Sequence, residues 1–155
     1  MGCVQTIKQK ITNNLKILCQ YANQFSMDLV LEPMSHFRTH IINTPDQAIR
    51  LLDEVSEPNL KIVMDTYHLC TEIRDFKKTI FQLAPYLWGI QACENDRGVP
   101  GGGIIPWEVI CSAIKDIKFN VISGVNTLYK LLLNDKKFSK VDFSNLTLAI
   151  AGGMR

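Results

Sequence analysis

Four short apolar runs, each carrying an oxygen-bearing side chain at or near its C-terminal end, constrain this chain more than any other feature. They are MDLVLE (27–32), LKIVMD (60–65), WGIQA (88–92) and FNVISGVN (119–126), and the polar residues are Glu32, Asp65, Gln91 and Asn126. Runs that are apolar almost throughout are strands covered on both faces, which means a parallel sheet under helices. Helix-period segments lie between them. Ile7, Ile11, Leu15, Leu18, Ala22 and Phe25 recur at three- and four-residue steps and predict an amphipathic helix over about 5–25. Thr44, Pro45 and Gln47 form an N-cap, a first helical proline and a capping box for a helix that stops near Pro58. DFKKTIFQLAPYL (75–87) reads as helix to about Pro85, and Pro106 opens another that carries Trp107, Ile110, Ile114 and Ile117. TLYKLLL and FSNLTLAIA read as closing helices. The order is α-β-α-β-α-β-α-β-α: an α/β chain, a single domain over 1–155, with four parallel strands and outer helices.

Ligands of such sheets bind at the carboxyl ends of the strands. Glu32, Asp65, Gln91 and Asn126 are 33, 26 and 35 residues apart, one βα unit each, and are expected to meet at one mouth. Oxygen ligands of this kind suit a hard divalent cation such as Mg²⁺ or Mn²⁺. One acid at a strand end is more often a cap or a solvated group; four equivalent positions point to a site. His68, three residues beyond Asp65, is close enough to enter the mouth from the following loop, whereas His36 and His40 are expected to face solvent. The run CENDRGVPGGGIIPW (93–107) places Glu94, Asp96 and Arg97 ahead of three consecutive glycines. Glycine is costly to order, so the run implies a turn or a close backbone approach to something polar. It is not a phosphate cradle: no GxxxxGK[ST] is present and the mouth is acidic.

Composition narrows the partners. With 46% hydrophobic and 21% charged residues and a net charge of +2, nothing favours nucleic acid or an anionic membrane. Cys3, Cys19, Cys70, Cys93 and Cys111 show no paired spacing and are expected to be reduced thiols of a cytoplasmic protein. No apolar run approaches the ~18 residues of a membrane span. Met1-Gly2-Cys3-Val4-Gln5-Thr6 fits a myristoylation pattern, with Cys3 placed for a second acyl chain. That pattern is short, and the residues are read as the lead into the first helix.

LEPMSHFRTHIINTPDQAIRLLDEV, PNLKIVMDTYHL and ENDRGVPGGGIIPW together resemble the ketose 3-epimerases, the D-tagatose and D-psicose 3-epimerase group of the xylose-isomerase-like (β/α)8 barrels. The resemblance runs in register from about residue 12 to residue 126. Its Glu-Asn-x-Arg…Pro-Gly-x-Gly…Pro-Trp loop is specific to that group, and the Asp-x-x-His pair is more widely shared. The resemblance implies a divalent metal (Mn²⁺, Mg²⁺ or Co²⁺) held by Glu, Asp, His and a second Glu at the ends of the last four strands. The two glutamates face opposite sides of C3 of a ketose, one removing a proton and the other returning it, while the metal polarises the carbonyl and stabilises the enediolate. Carried onto this chain, Glu32 matches the first glutamate, both ligand and base, and Asp65 the aspartate ligand. His68 and Arg97 match groups that contact the sugar, and Glu94 is placed with them. The histidine ligand is Gln91 here, the second glutamate is Asn126, and Asn-Arg-Phe-Glu is replaced by Ser35-His36-Phe37-Arg38. The carbonyl oxygens of Gln91 and Asn126 are neutral, weaker ligands, so the metal is expected to be held weakly, and Asn126 cannot shuttle a proton.

A (β/α)8 barrel runs to about 250 residues, so the resemblance implies the second half of one. An open half-barrel exposes two strand edges and an inner face, and is expected to form a homo-oligomer or to associate with a missing N-terminal half. Two functions follow: a metal-dependent isomerase/epimerase acting on a ketose or sugar phosphate, or a catalytically degenerate sugar-binding or regulatory paralogue. The related zinc phosphodiesterases that cut abasic DNA need many histidine and acidic ligands; three histidines and no basic surface exclude them.

Overall fold

Five parallel strands in sequential order form the sheet of the computed structural model, which describes residues 2–115, 117, 121–124, 129, 130, 133, 134, 144, 146 and 148–151. They are β1 (Leu29–Leu31), β2 (Leu60–Asp65), β3 (Leu87–Gln91), β4 (Val121–Gly124) and β5 (Leu148–Ala151). β1, β2 and β4 fall inside their predicted runs, and β3 begins one residue before WGIQA, at Leu87. The fifth corrects the expectation of a closing helix over FSNLTLAIA: Leu148 to Ala151 pair in parallel with Val121 to Gly124 along the open edge of β4. A four-residue apolar run carries too little periodicity to separate helix from strand, and an unpaired strand edge decides the outcome. In TLYKLLL, Tyr129, Lys130 and Leu133 are helical as expected.

The helices are α1 (Gly2–Asn23), α2 (Pro45–Val55), α3 (Thr66–Leu69), α4 (Phe76–Leu83) and α5 (Trp107–Lys115). The predicted capping box of α2 is formed: Gln47 N–H donates to Thr44 Oγ1 at 3.3 Å, and Thr44 N–H donates to Gln47 Oε1 at 3.1 Å. Asp75 caps α4 by accepting from Lys78 N–H at 2.9 Å. These caps satisfy backbone donors that the first turn of a helix leaves without partners. Leu51, Leu52 and Val55 of α2, Ile80 and Leu83 of α4, and Ile110 and Ala113 of α5 pack with Ile62, Met64 and Ile90 of the sheet. Fully buried side chains such as Ile62, Met64, Ile80, Leu83 and Ile110 each contribute about 1.5–3 kcal/mol relative to exposure. On α1 the apolar stripe is rotated from the expected one. Ile11, Leu15 and Cys19 pack on the core, whereas Ile7 (46% exposed), Leu18 (52%) and Phe25 (59%) face outward.

Side chains alternate across a sheet, so the faces can be assigned. Ile62 and Met64 point to the helices; Val63 and Asp65 therefore point to the opposite, inner face. On β3 the pairing slips by one residue: Ile62 pairs with Leu87, but Val63 pairs with Gly89 and Asp65 with Gln91. The extra residue, Trp88, is a bulge that inverts the alternation after it. Ile90 is thereby sent to the core and Gln91 to the inner face beside Asp65. Without that bulge a one-residue slip would put Gln91 among the helices.

Candidate functional site

Glu32 follows β1 directly, and Asp65 and Gln91 end β2 and β3, so the parallel sheet brings their backbones to one rim. Asn126 lies outside the described residues. Each of Glu32, Asp65 and His68 offers one ligand atom within 4.8 Å of the others. His68 reaches the rim because the segment after Asp65 is not a loop but the short helix α3. Asp65 caps it, its Oδ1 accepting from Tyr67 N–H at 2.9 Å. Thr66, fully buried, ties β2 to β3: its hydroxyl lies 2.6 Å from the Cys93 carbonyl and 3.2 Å from that of Gln91, and accepts from Cys93 N–H at 3.0 Å.

Asp65 and His68 are buried, with side chains 0% and 3% exposed, while Glu32 is 33% exposed at the mouth. Arg97 lies across them. Its Nη1 donates to Asp65 Oδ2 at 2.5 Å, its Nη2 is 2.9 Å from His68 Nε2, and its guanidinium carbon stands 4.0 Å over the Tyr67 ring. A guanidinium only donates, so His68 Nε2 accepts and the proton sits on Nδ1. That nitrogen is 3.3 Å from Ser35 Oγ, which takes the proton's hydrogen bond. The Ser35 N–H is also 3.3 Å from Nδ1, and the shorter Arg97 contact decides between the tautomers. Burial pushes the His68 pKa down; Asp65 opposes this, and Arg97 and Arg38 add to it, leaving the ring neutral. Burial and the nearby Asp65 carboxylate push Glu32 up, with Arg97 pulling the other way. Glu32 is thus more basic than an ordinary glutamate.

The glycine run answers to a group the sequence reading assigned elsewhere. Glu94, expected on the substrate, is 1% exposed and has its carboxylate committed to its own loop. It accepts from Gly101 N–H at 2.7 Å, from Ile105 N–H at 3.2 Å and from Trp107 Nε1–H. Burial raises its pKa, but the bonds from Trp107, Gly101, Ile105 and Gly103 outweigh burial and hold it below the usual carboxylate range. A Cβ on Gly103 would stand 2.5 Å from both Glu94 Oε2 and Asn95 Oδ1, and Gly101 has φ +97°. The polar group that the backbone approaches is therefore the loop's own acid. Arg97, at φ +68°, points inward from the same loop. His36, 55% exposed, places its Nδ1 2.6 Å from Glu72 Oε1.

Two carboxylates and a neutral imidazole with its Nε2 lone pair turned inward form a donor set that fits a divalent cation. Asp65 with Glu32 supplies negative charge that a cation offsets, and Ser35 fixes the imidazole from behind as metal-bound histidines require. His68, expected to contact substrate, lies within the same cluster of possible ligand atoms. In the sequence Ser35 stands out only as a departure from Asn-Arg-Phe-Glu. Its small hydroxyl, three residues after Glu32, was the available signal.

The profile of the family described as Xylose isomerase-like TIM barrel matches residues 5–135, and the chain belongs to that family. It is 30% identical over 102 residues to D-psicose 3-epimerase of Agrobacterium fabrum, covering 66% of this chain and 35% of that one. It is 30% identical over 124 residues to a probable ketose 3-epimerase of Synechocystis sp., covering 80% and 42%. The solved structure of D-psicose 3-epimerase with D-tagatose from Clostridium cellulolyticum superposes with a TM-score of 0.67 at 28% identity, over 70% of this chain and 38% of that one. The chain thus spans well under half the length of these relatives. A family 2 AP endonuclease from Brucella melitensis, at 17% identity and TM-score 0.68, shares the fold. Among the described residues no helix is long and apolar enough to cross a membrane.

Proposed function

We propose that this chain carries a divalent-metal site of the sugar isomerase/epimerase kind, with Glu32 transferring the proton at C3 of a ketose through an enediolate. The observation that carries this reading is the convergence of Glu32, Asp65 and His68 within 4.8 Å. Glu32, Asp65 and His68 would hold the cation, with the Gln91 amide beside Asp65 as a neutral oxygen donor and Asn126 assigned as a second one by the resemblance alone. When bound, a divalent metal supplies Lewis-acid polarisation of the substrate carbonyl. Glu32, raised in pKa and open to the mouth, accepts the C3 proton, and Arg97, 46% exposed, can turn its donors to the sugar's oxygens. Asn126 cannot return a proton to the far face, and loss of a general base costs a factor of about 10²–10⁴ in rate. Turnover by the chain as it stands is therefore slow. The Gln91 and Asn126 replacements favour a second reading, a paralogue that binds a ketose or sugar phosphate without converting it. The half-barrel is covered in this proposal by further copies of itself or by an N-terminal half, in the cytoplasm.

The test is exchange of C3 deuterium from labelled D-fructose or D-psicose with Mn²⁺ present. Slow wash-out that disappears in Glu32→Gln supports the enzyme reading. Sugar binding without wash-out supports the binding paralogue, and neither binding nor wash-out refutes both.

A further inference from the structure

Arg97 makes contacts that a role on the substrate does not require. Asp65 Oδ1 is occupied in capping α3, so Oδ2 is the oxygen Asp65 offers to the site, and Arg97 Nη1 holds it at 2.5 Å. Nδ1 of His68 faces Ser35, so Nε2 carries the lone pair His68 offers, and Arg97 Nη2 takes it at 2.9 Å. One guanidinium thus takes the only lone pair of His68 Nε2 and one of the two on Asp65 Oδ2. The Tyr67 ring beneath it, at 4.0 Å, and Cys93 Sγ, 3.6 Å from Nη1, complete its seat. A left-handed backbone at a non-glycine residue costs about 1–2 kcal/mol; Arg97 adopts it, φ +68°, in the loop that Glu94 fastens. The seat is nonetheless open to one side, since the Arg97 side chain is 46% exposed and can swing out without disturbing the core.

We propose that Arg97 is a resident cation of this site, competing with the divalent metal for Asp65 and His68. A sugar that engages the guanidinium would release both ligands, so that metal and sugar bind cooperatively. The inference rests on the metal-site reading above. A metal bonds the same atoms at about 2.0–2.2 Å; the single lone pair of His68 Nε2 cannot serve both cations, and at Asp65 Oδ2, which keeps a second lone pair, the two compete through charge repulsion and space. The apparent metal Kd is then the intrinsic Kd divided by the fraction of chains with Arg97 swung out. An in-to-out ratio of about ten weakens metal binding about tenfold, and by linkage a ligand that removes Arg97 restores the same factor.

The experiment is Mn²⁺ titration of the full chain, read by electron paramagnetic resonance of free Mn²⁺, for wild type, Arg97→Gln and Arg97→Lys, with folding matched by circular dichroism. Arg97→Gln should tighten Mn²⁺ binding by about tenfold, and Arg97→Lys, which keeps the charge but loses the two-pronged contact, by less. An unchanged or weaker Kd in folded Arg97→Gln overturns the competition and leaves the metal site standing. Binding by none of the three overturns the metal site and the competition with it. In wild type, the guanidinium NMR signals of Arg97 should move toward those of a free arginine as Mg²⁺ saturates. Signals unmoved at saturation overturn the proposal even if the glutamine variant does not fold.

Discussion

Glu94→Gln removes the charge from a carboxylate that is 1% exposed and replaces one acceptor oxygen with an NH₂ group facing backbone donors. Oε1 accepts from Gly101 and Trp107, and Oε2 accepts from Ile105. Whichever way the amide turns, at least one buried N–H loses its acceptor. The remaining bonds lose the strength that charge gives them. Hydrogen bonds to charged groups are worth about 1.5–3 kcal/mol each, and a buried donor left without a partner costs about 1–3 kcal/mol, so the change should cost roughly 2–4 kcal/mol in all. At about 2–4 °C per kcal/mol for a chain of this size, Tm falls by roughly 5–15 °C. Thermal unfolding followed by circular dichroism, with calorimetry as the two-state check, measures it. The pH dependence adds a second test. Glu94 is held below its ordinary value of 4.5 in the folded chain. A carboxylate with a depressed folded pKa stabilises fully above its unfolded pKa and loses that contribution as pH falls through the folded value. The gap between wild type and Glu94→Gln should therefore be widest at neutral pH and close as pH falls below the ordinary carboxylate value and through the depressed folded one. A variant melting within about 2 °C of wild type at neutral pH, or a gap that widens on acidification, refutes the assignment of Glu94 as the loop's anchor.

Gly103→Ala sets a Cβ 2.5 Å from that pinned carboxylate and should cost about 1–3 kcal/mol in urea unfolding. Gly102→Ala, whose nearest neighbour is the Val99 carbonyl at 3.5 Å, should cost well under that and serves as its control. Gln91→His with Asn126→Glu, fused to the N-terminal half of a ketose 3-epimerase, should raise D-fructose epimerisation by about 10²–10⁴ over the unaltered fusion. No rise would mean that position 126 does not face the sugar. Ile17, Leu18, Tyr21 and Phe25 of α1 and the turn after it are 52–64% exposed, so light scattering should report an assembly larger than a monomer; a monodisperse monomer at high concentration contradicts a covered half-barrel.

The strands and the caps were legible because their signals are local. LKIVMD is β2 from first residue to last, and Thr44, Pro45 and Gln47 make the predicted capping box. What depended on a partner far along the chain was not legible. LAIA becomes β5 only because β4 offers an edge, and the buried stripe of α1 is set by what it packs against rather than by the periodicity alone. At the site, Glu32, Asp65 and Gln91 could be placed on one rim from their spacing. The Trp88 bulge that keeps Gln91 in phase with Asp65 leaves no mark that alternation would reveal. His68 was expected to arrive from a loop and arrives on α3 because Asp65 doubles as its cap. Glu94 could not be separated from Arg97 by sequence: both are charged residues of one loop, and only packing shows one turned into the loop and the other into the site.

The central claim, that Asp65 and its neighbours bind a divalent cation, is tested most directly by Mn²⁺ titration of wild type against Asp65→Asn. Asparagine caps a helix as well as aspartate does, so α3 and the fold should survive the change while the site loses its buried charge. One Mn²⁺ per chain in wild type, weakened about tenfold or more in a folded Asp65→Asn, is the predicted result. No specific Mn²⁺ in wild type, or equal affinity in the two, contradicts it.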